Sequence, residues 1–338
     1  MKISYLKNAG IICILSLLCA SVLPAAYAQT FIITVNTTKG TYDISETLTI
    51  LGALTLNSQP VPNGIVAIQV ESPDNSTYMY RVCNTSSIPP MNWNITIDHS
   101  YTTNNQGVPK TSFKRGTHVY FMINCTSHRP LYQPLLIYIA MFSPGNTFYI
   151  SRHAFGLSDV GPYANTTALV DYPIPTDAPL GLYTFYVCAL SGDPKFGAHA
   201  YCPEKSSTFL VTLTSGLTEM TNTQLQLGTL SDGDYALQYN LPQRKIMIGI
   251  HKVYAVGYYQ FGNFVSNTQA YAFYVKVLAD LNLDYKVDGK DIAIVSRAYN
   301  TREGDPLWDP RADTNSDRKV DGKDVAFVSK YFGKTLAP

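Results

Sequence analysis

Charge is scarce in this chain. Asp, Glu, Lys and Arg make up 14% of its 338 residues, and the formal net charge is +1. No basic run occurs, which argues against nucleic acid or an acidic membrane surface as a partner. Cysteine is scarce too, at six residues, and none of the spacings is C-x-x-C, so a zinc site is not expected. Neither G-x-S-x-G nor H-E-x-x-H is present. His99, His118, His128, His153, His199 and His251 fall singly, as strand or turn residues do. Before residue 280 only 13 of the 24 acids are found, and they are scattered. A glycosidase needs two carboxyls that meet across a bond. Glu71, Asp74, Asp171 and Glu204 would have to converge, and nothing in their spacing brings them together. The expectation is a non-catalytic protein.

Long apolar runs are missing as well, apart from the first residues. There Lys2 and Lys7, the apolar stretch Ile11 to Leu18 and the small-x-small sequence Ala26-Tyr27-Ala28 form the three parts of a secretory signal peptide. The apolar stretch is short for a span of about 20 residues, so cleavage after Ala28 is expected rather than a retained anchor. Residues 1–28 are the expected leader, Gln29 the mature N-terminus, and the protein is expected outside the cell or on its surface.

Export leaves Cys83, Cys125, Cys188 and Cys202. Four cysteines allow three connectivities. Cys188–Cys202 is the candidate disulfide, closing a 15-residue loop worth about 3 kcal/mol in chain entropy; free buried thiols are the alternative. Sequons at Asn36, Asn75, Asn84, Asn94, Asn124 and Asn165, all before residue 170, point to a glycosylated surface.

What the chain does have is strand pattern. "FIITV" (31–35), "TLTILGAL" (47–54), "IVAIQVE" (65–71), "HVYFMIN" (118–124), "LLIYIAMF" (135–142), "LYTFYVCAL" (182–190), "STFLVTL" (207–213) and "AYAFYVKV" (270–277) are rich in Val, Ile, Thr, Tyr and Phe. Turn clusters such as "NSQPVPNG" separate them. Repeats are visible too. Tyr42 to Leu48 matches Phe113 to Val119, and "SPDNSTY" (72–78) matches "SPGNTFY" (143–149), both offset by 71 residues. A further pair links "IPTDAPLGLYTFYV" (174–187) to "LPQRKIMIGIHKVYA" (241–255), each with a glycine followed by a strand carrying Tyr186 or Tyr254. The expectation is mainly β: tandem immunoglobulin-like sandwiches at 29–92, 93–214 and 215–278. The pattern resembles the immunoglobulin-like and macroglobulin-like modules of secreted prokaryotic, especially archaeal, surface proteins. That resemblance implies a structural or binding role. The 25 tyrosines are ordinary strand formers here, with stacking on sugar rings as the alternative.

The acids missing upstream are gathered at the end, where residues 280–338 hold 11 of the 24. "DLNLDYKVDGKD" (280–291) returns 33 residues later as "DTNSDRKVDGKD" (313–324). Oxygen donors fall at loop positions 1, 3, 5, 9 and 12: Asp280, Asn282, Asp284, Asp288 and Asp291, then Asp313, Asn315, Asp317, Asp321 and Asp324. The carbonyls of Lys286 and Lys319 stand at position 7. This is the EF-hand spacing, which wraps oxygens around a cation of calcium size, so two Ca2+ ions are expected. Ile292, Val295 and Tyr299, and likewise Val325, Val328 and Phe332, recur at helical spacing. Each loop therefore leads into one helix, with none before it.

Paired loop–helix units of this kind resemble a type I dockerin, over residues 280–334. The resemblance implies a small helical calcium-binding domain at 279–338 and a cohesin-type partner on a scaffold or cell surface. Its contact positions map to Gly289, Lys290, Ser296 and Arg297, and to Gly322, Lys323, Ser329 and Lys330. The two sets are nearly identical, so a partner would fit either way round. Position 6, usually Gly, is Tyr285 or Arg318, where a left-handed backbone costs roughly 1 kcal/mol. The resemblance also leaves open a carbohydrate-active subunit, sugar-binding or polysaccharide-degrading, delivered by its tail, with polysaccharide as a partner.

Overall fold

A computed structural model of the protein describes residues 29–44, 46–86, 92–213, 231–242, 247–277, 279–315 and 317–335. The expected leader lies outside the described residues. The chain begins with β1 (Phe31–Ile33), β2 (Asn36–Thr37), β3 (Thr41–Asp43), β4 (Thr47–Leu56), β5 (Gln59–Pro60), β6 (Ile65–Glu71) and β7 (Thr77–Asn84). It continues with β8 (Ile95–Thr103), β9 (Ser112–Lys114), β10 (His118–Ser127), β11 (Gln133–Ser143), β12 (Thr147–Val160), β13 (Asn165–Pro173), β14 (Gly181–Leu190) and β15 (Lys205–Thr212). Then come β16 (Asp234–Asn240), β17 (Gly249–Tyr259), β18 (Phe264–Val265) and β19 (Gln269–Lys276), before helices α1 (Gly289–Arg297) and α2 (Gly322–Lys330). Strands dominate, as the β-branched and aromatic runs require.

Two sandwiches of the same design emerge. In one, a sheet ordered β8-β10-β13 faces β9-β15-β14-β11-β12; in the other, β1-β4-β16 faces β3-β19-β17-β6-β7. The first strand of each larger layer pairs parallel, β9 with β15 and β3 with β19. This is the immunoglobulin-like arrangement. The layers β1-β4-β16 and β12-β11-β14-β15-β9 join into one sheet through a single parallel pair, Thr147 with Asn240.

The expected division into three modules needs correcting. Strands of the segment 215–278 do not make a sandwich of their own. β16 pairs along β4, β17 along β6, and β19 along β3. Residues 31–84 by themselves leave the edges of β4 and β6 bare, and unpaired edges seek partners. The later strands supply them, so the sandwich at 95–212 is inserted between β7 and β16. The repeats survive this correction because they mark equivalent strands. β14 and β17 each open on a glycine at φ +127° and +132° (Gly181 and Gly249), backbone that side-chain-bearing residues rarely adopt.

Strand β6 shows how the sandwiches lean on each other. All seven of its residues are buried, because a strand's two faces serve two cores. Ile65 and Ala67 join the core of the inserted sandwich, while Val66, Ile68 and Val70 join the other. Tail residues Ala279, Leu281, Val287, Val295 and Val328 belong to the same buried cluster as β4, β6 and β17.

Candidate calcium centre and docking surface

Each acidic stretch folds into a closed turn through hydrogen bonds from its own backbone. In the first loop, Asp280 accepts the amides of Asp284 (3.1 Å) and Tyr285 (2.7 Å), and Asn282 accepts that of Asp284 (3.0 Å). Asp284 accepts Lys286 N–H at 3.2 Å, and Asp288 accepts Lys290 N–H at 2.8 Å. The second loop repeats the pattern: Asp313 accepts Asp317 N–H (3.1 Å) and Arg318 N–H (2.8 Å), Asn315 accepts Asp317 N–H (3.0 Å), Asp317 accepts Lys319 N–H (3.1 Å), and Asp321 accepts Lys323 N–H (2.8 Å). Tyr285 and Arg318 stand at φ +68° and +66°. The strained position 6 read from the sequence is therefore occupied by bulky residues in left-handed backbone.

The closing acids are the centre of each unit. Asp291 is fully buried and accepts the amides of Leu281 (2.7 Å), Asn282 (3.2 Å) and Asp288 (2.9 Å). Asp324 does the same for Thr314 (2.8 Å) and Asp321 (2.8 Å), with the Thr314 hydroxyl at 2.9 Å. Each also completes a capping box, with Asp288 or Asp321 as N-cap, so loop closure and helix initiation are one event. The loops are then interlocked. Val287 pairs with Gly333 and Lys334 beyond α2, while Val320 pairs with Asn300 and Thr301 beyond α1.

Do these residues fit a cation? Among the described residues no three Asp, Glu, His or Cys side chains converge as a ready cluster. The acids are spread along each turn, and Asn282, Asn315 and the carbonyls of Lys286 and Lys319 complete an all-oxygen set. Burial raises the Asp280 carboxyl, whereas the Lys290 ammonium, 2.9 Å from Asp284, lowers that one. Asp291 and Asp324 are buried carboxylates served only by neutral donors. Such charge is costly unless a cation joins it. The donor chemistry and loop closure fit a hard cation of calcium type.

The contact positions carried over from the family lie on the surface. Gly289, Lys290, Ser296 and Arg297 on α1 are all exposed, as are Gly322, Lys323, Ser329 and Lys330 on α2. Two residues depart from the expected apolar face. Tyr299 and Phe332 lie beyond the helix ends and are 53% and 57% exposed, since the helices stop at Arg297 and Lys330. They flank the contact residues, which a helical period extended past its C-cap concealed.

Elsewhere the structure sorts the remaining candidates. The Cys188–Cys202 bridge is absent: Cys83, Cys125, Cys188 and Cys202 are buried free thiols. The Cys188 thiol is directed at the Tyr138 carbonyl on neighbouring β11, 3.7 Å away, and burial raises its pKa. Asn36, Asn75, Asn84 and Asn165 are exposed and Asn124 is half-buried. Asn94 is buried, and its amide oxygen accepts Arg129 Nε at 2.6 Å, so this sequon does not belong with the surface set. The four scattered carboxyls have separate partners: Glu71 with Lys195 (2.6 Å), Asp74 with Ser72 (2.7 Å), Asp171 with His118 (2.7 Å) and Glu204 with Arg81 (2.6 Å). Asp98 and Glu204 do line one open groove. Asp98 accepts the Thr96 and Thr126 hydroxyls at 2.7 and 2.5 Å, so both carboxyls there are engaged. No helix among the described residues is long and apolar enough to cross a membrane.

Residues 278–333 match the family profile of the dockerin type I domain. That class of module binds calcium, docks to cohesin modules and is typically found on extracellular or cell-surface proteins. Comparison with curated proteins gave no match. Among solved structures, alkylpurine DNA glycosylase AlkC of Pseudomonas fluorescens, bound to DNA containing an abasic site analog, aligns at TM-score 0.27 and 14% identity, over 36% of this chain and 31% of that one. The CARDB domain of PF1109 from Pyrococcus furiosus aligns at 0.26 and 11%, over 37% of this chain and all of that one. A β-glucosidase from Listeria innocua in complex with glucose aligns at 0.24 and 6%, over 36% and 16%. At these scores none of the three bears on function.

Proposed function

We propose that the protein is an exported, non-catalytic structural or binding protein that is held outside the cell by its tail. The tail binds two calcium ions and docks to a cohesin-type module on a scaffold or cell surface. One observation carries the reading: two copies of the same closed loop, each opening a helix whose contact residues are exposed. The pairs Lys290 and Lys323, Ser296 and Ser329, and Arg297 and Lys330 give two equivalent faces, so one partner fits either way round. Tyr299 and Phe332 add an exposed ring beside each face, as partner surfaces favour. The absence of a catalytic role is supported by the separate engagement of Glu71, Asp74, Asp171 and Glu204. Surface plasmon resonance on immobilised type I cohesins tests the reading. Binding in calcium that disappears in EDTA is expected, and it should survive removal of either face alone but not of both. Calcium-independent binding, or none to any cohesin, would overturn it.

A further inference from the structure

A cleft of about 440 Å3 opens between the two sandwiches, walled by β7, β14, β16 and the β11–β12 turn. Its size falls within the ligand-pocket range of about 300–1,000 Å3. At its base lies Arg81, 6% exposed. Its Nε and Nη2 donate to Glu204 at 2.9 and 2.6 Å, and Glu204 also accepts Val82 N–H at 2.8 Å. The guanidinium lies over the Tyr186 ring, 3.5 Å from its centroid, with Phe142 at 5.2 Å. Arg81 Nη1 has no acceptor among the described residues. A buried ion pair is an expensive way to fill an inter-domain gap, and a buried guanidinium with unused donors beside a cavity is poised for a ligand.

The lining determines which ligand. Arg81 and Glu204 are its only charged members among the described residues, and they cancel. An anion entering the cleft would meet Glu204, and a cation would meet Arg81, each at a cost inside a protein. The Arg81 guanidinium lies on the Tyr186 ring, and Phe142, which meets that ring at 89°, is 1% exposed, so little ring surface is left for stacking. What remains are hydrogen-bonding groups of both kinds: Asn84, Thr184 and Ser206 make no side-chain bond to a described residue, and the side-chain amides of Asn146 and Gln238 use only their nitrogens among the described residues. We infer that this cleft seats a neutral polyhydroxylated ligand, a saccharide of one or two rings. It would be held by Arg81 Nη1 and the amide–hydroxyl wall. Asn84, an exposed sequon on that wall, gives two sources for the same chemistry: a free saccharide, or the first sugars of a glycan carried by Asn84.

This inference is independent of the docking reading, because the cleft shares no residue with the tail. The test is saturation-transfer NMR and calorimetry on the full calcium-loaded protein made in a non-glycosylating host. The probes are neutral mono- and disaccharides of glucose, galactose, mannose and N-acetylglucosamine, with glucuronate and glucosamine as charged comparators. At least one neutral probe should bind. Ser206→Trp, which places an indole in the cleft from the strand position opposite Tyr186, should weaken binding at least tenfold at unchanged melting temperature. Arg81→Lys, which keeps a cation for Glu204 but loses Nη1, should weaken it similarly. Loss of free-sugar binding in glycosylated protein, restored by Asn84→Gln, would assign the seat to the Asn84 glycan; equal binding would assign it to free saccharide. No neutral probe binding, a charged comparator binding more tightly, or indifference to Ser206→Trp would each overturn the inference.

Discussion

Replacing Asp291 with Ala tests how the tail is held together. Asp291 is fully buried and receives three backbone amides at 2.7–3.2 Å. Removing the acceptor strands those N–H groups at about 1–3 kcal/mol each, or about 3–6 kcal/mol allowing for partial hydration. It also deletes the closing oxygen donor of the first loop. Helix α1 has nine residues, too few to persist without tertiary support, so the loss should exceed what the unit can bear. Interlocking extends the damage: Val287 of the first loop pairs beyond α2, so the second unit loses a support as well. The assay is hydrogen exchange of the full chain in calcium, wild type against Asp291→Ala and the Asp291→Ala/Asp324→Ala pair. Amides of 280–334 should lose protection by two or more orders of magnitude, while β11 and β14 remain protected. Continued protection of α1 in the single variant would refute the view that one carboxylate both closes the loop and starts the helix.

Three further outcomes are expected. Arg318→Gly relieves a left-handed backbone at φ +66° worth about 1 kcal/mol, so calorimetry should show calcium affinity rising about fivefold at that site, and unchanged affinity would remove strain as a factor. Burial lowers the His199 imidazole to about 4 from an ordinary 6.5. The folded state holds it neutral while the unfolded chain protonates it, so its stabilisation is full above pH 6.5 and lost as pH falls towards 4. That loss reaches about 3 kcal/mol, and urea melts of wild type and His199→Gln should converge across that window; parallel curves would contradict the assignment. Peptide mass spectrometry of protein from a glycosylating host should find Asn94 unmodified even where Asn36 or Asn165 carries glycan, and an occupied Asn94 would mean its bond to Arg129 opens before the fold is complete.

The strands were legible because their side chains repeat locally: "IVAIQVE" became β6 with its bounds unchanged. The paired acidic loops are legible for the same reason, since the order of their oxygen-bearing residues lies within twelve contiguous positions. Long-range pairing was not. Nothing local to "AYAFYVKV" says that its strand pairs beside Tyr42, more than 200 residues earlier, so the repeat alone suggests a third sandwich rather than the returning half of the first. Arg81 and Glu204 were equally hidden, being single charges 123 positions apart. In the sequence Glu204 is only one acid among several. The 14-position separation of Cys188 and Cys202 likewise says nothing about which neighbour each thiol faces.

Whether calcium organises the tail can be measured directly. Calorimetric titration of calcium into the EDTA-stripped full chain should give two binding events per protein, with near ultraviolet or exchange signatures of residues 280–334 ordering as they fill. The Asp291→Ala/Asp324→Ala protein should give none. Heats identical in the double variant, or a tail equally ordered in EDTA, would contradict it.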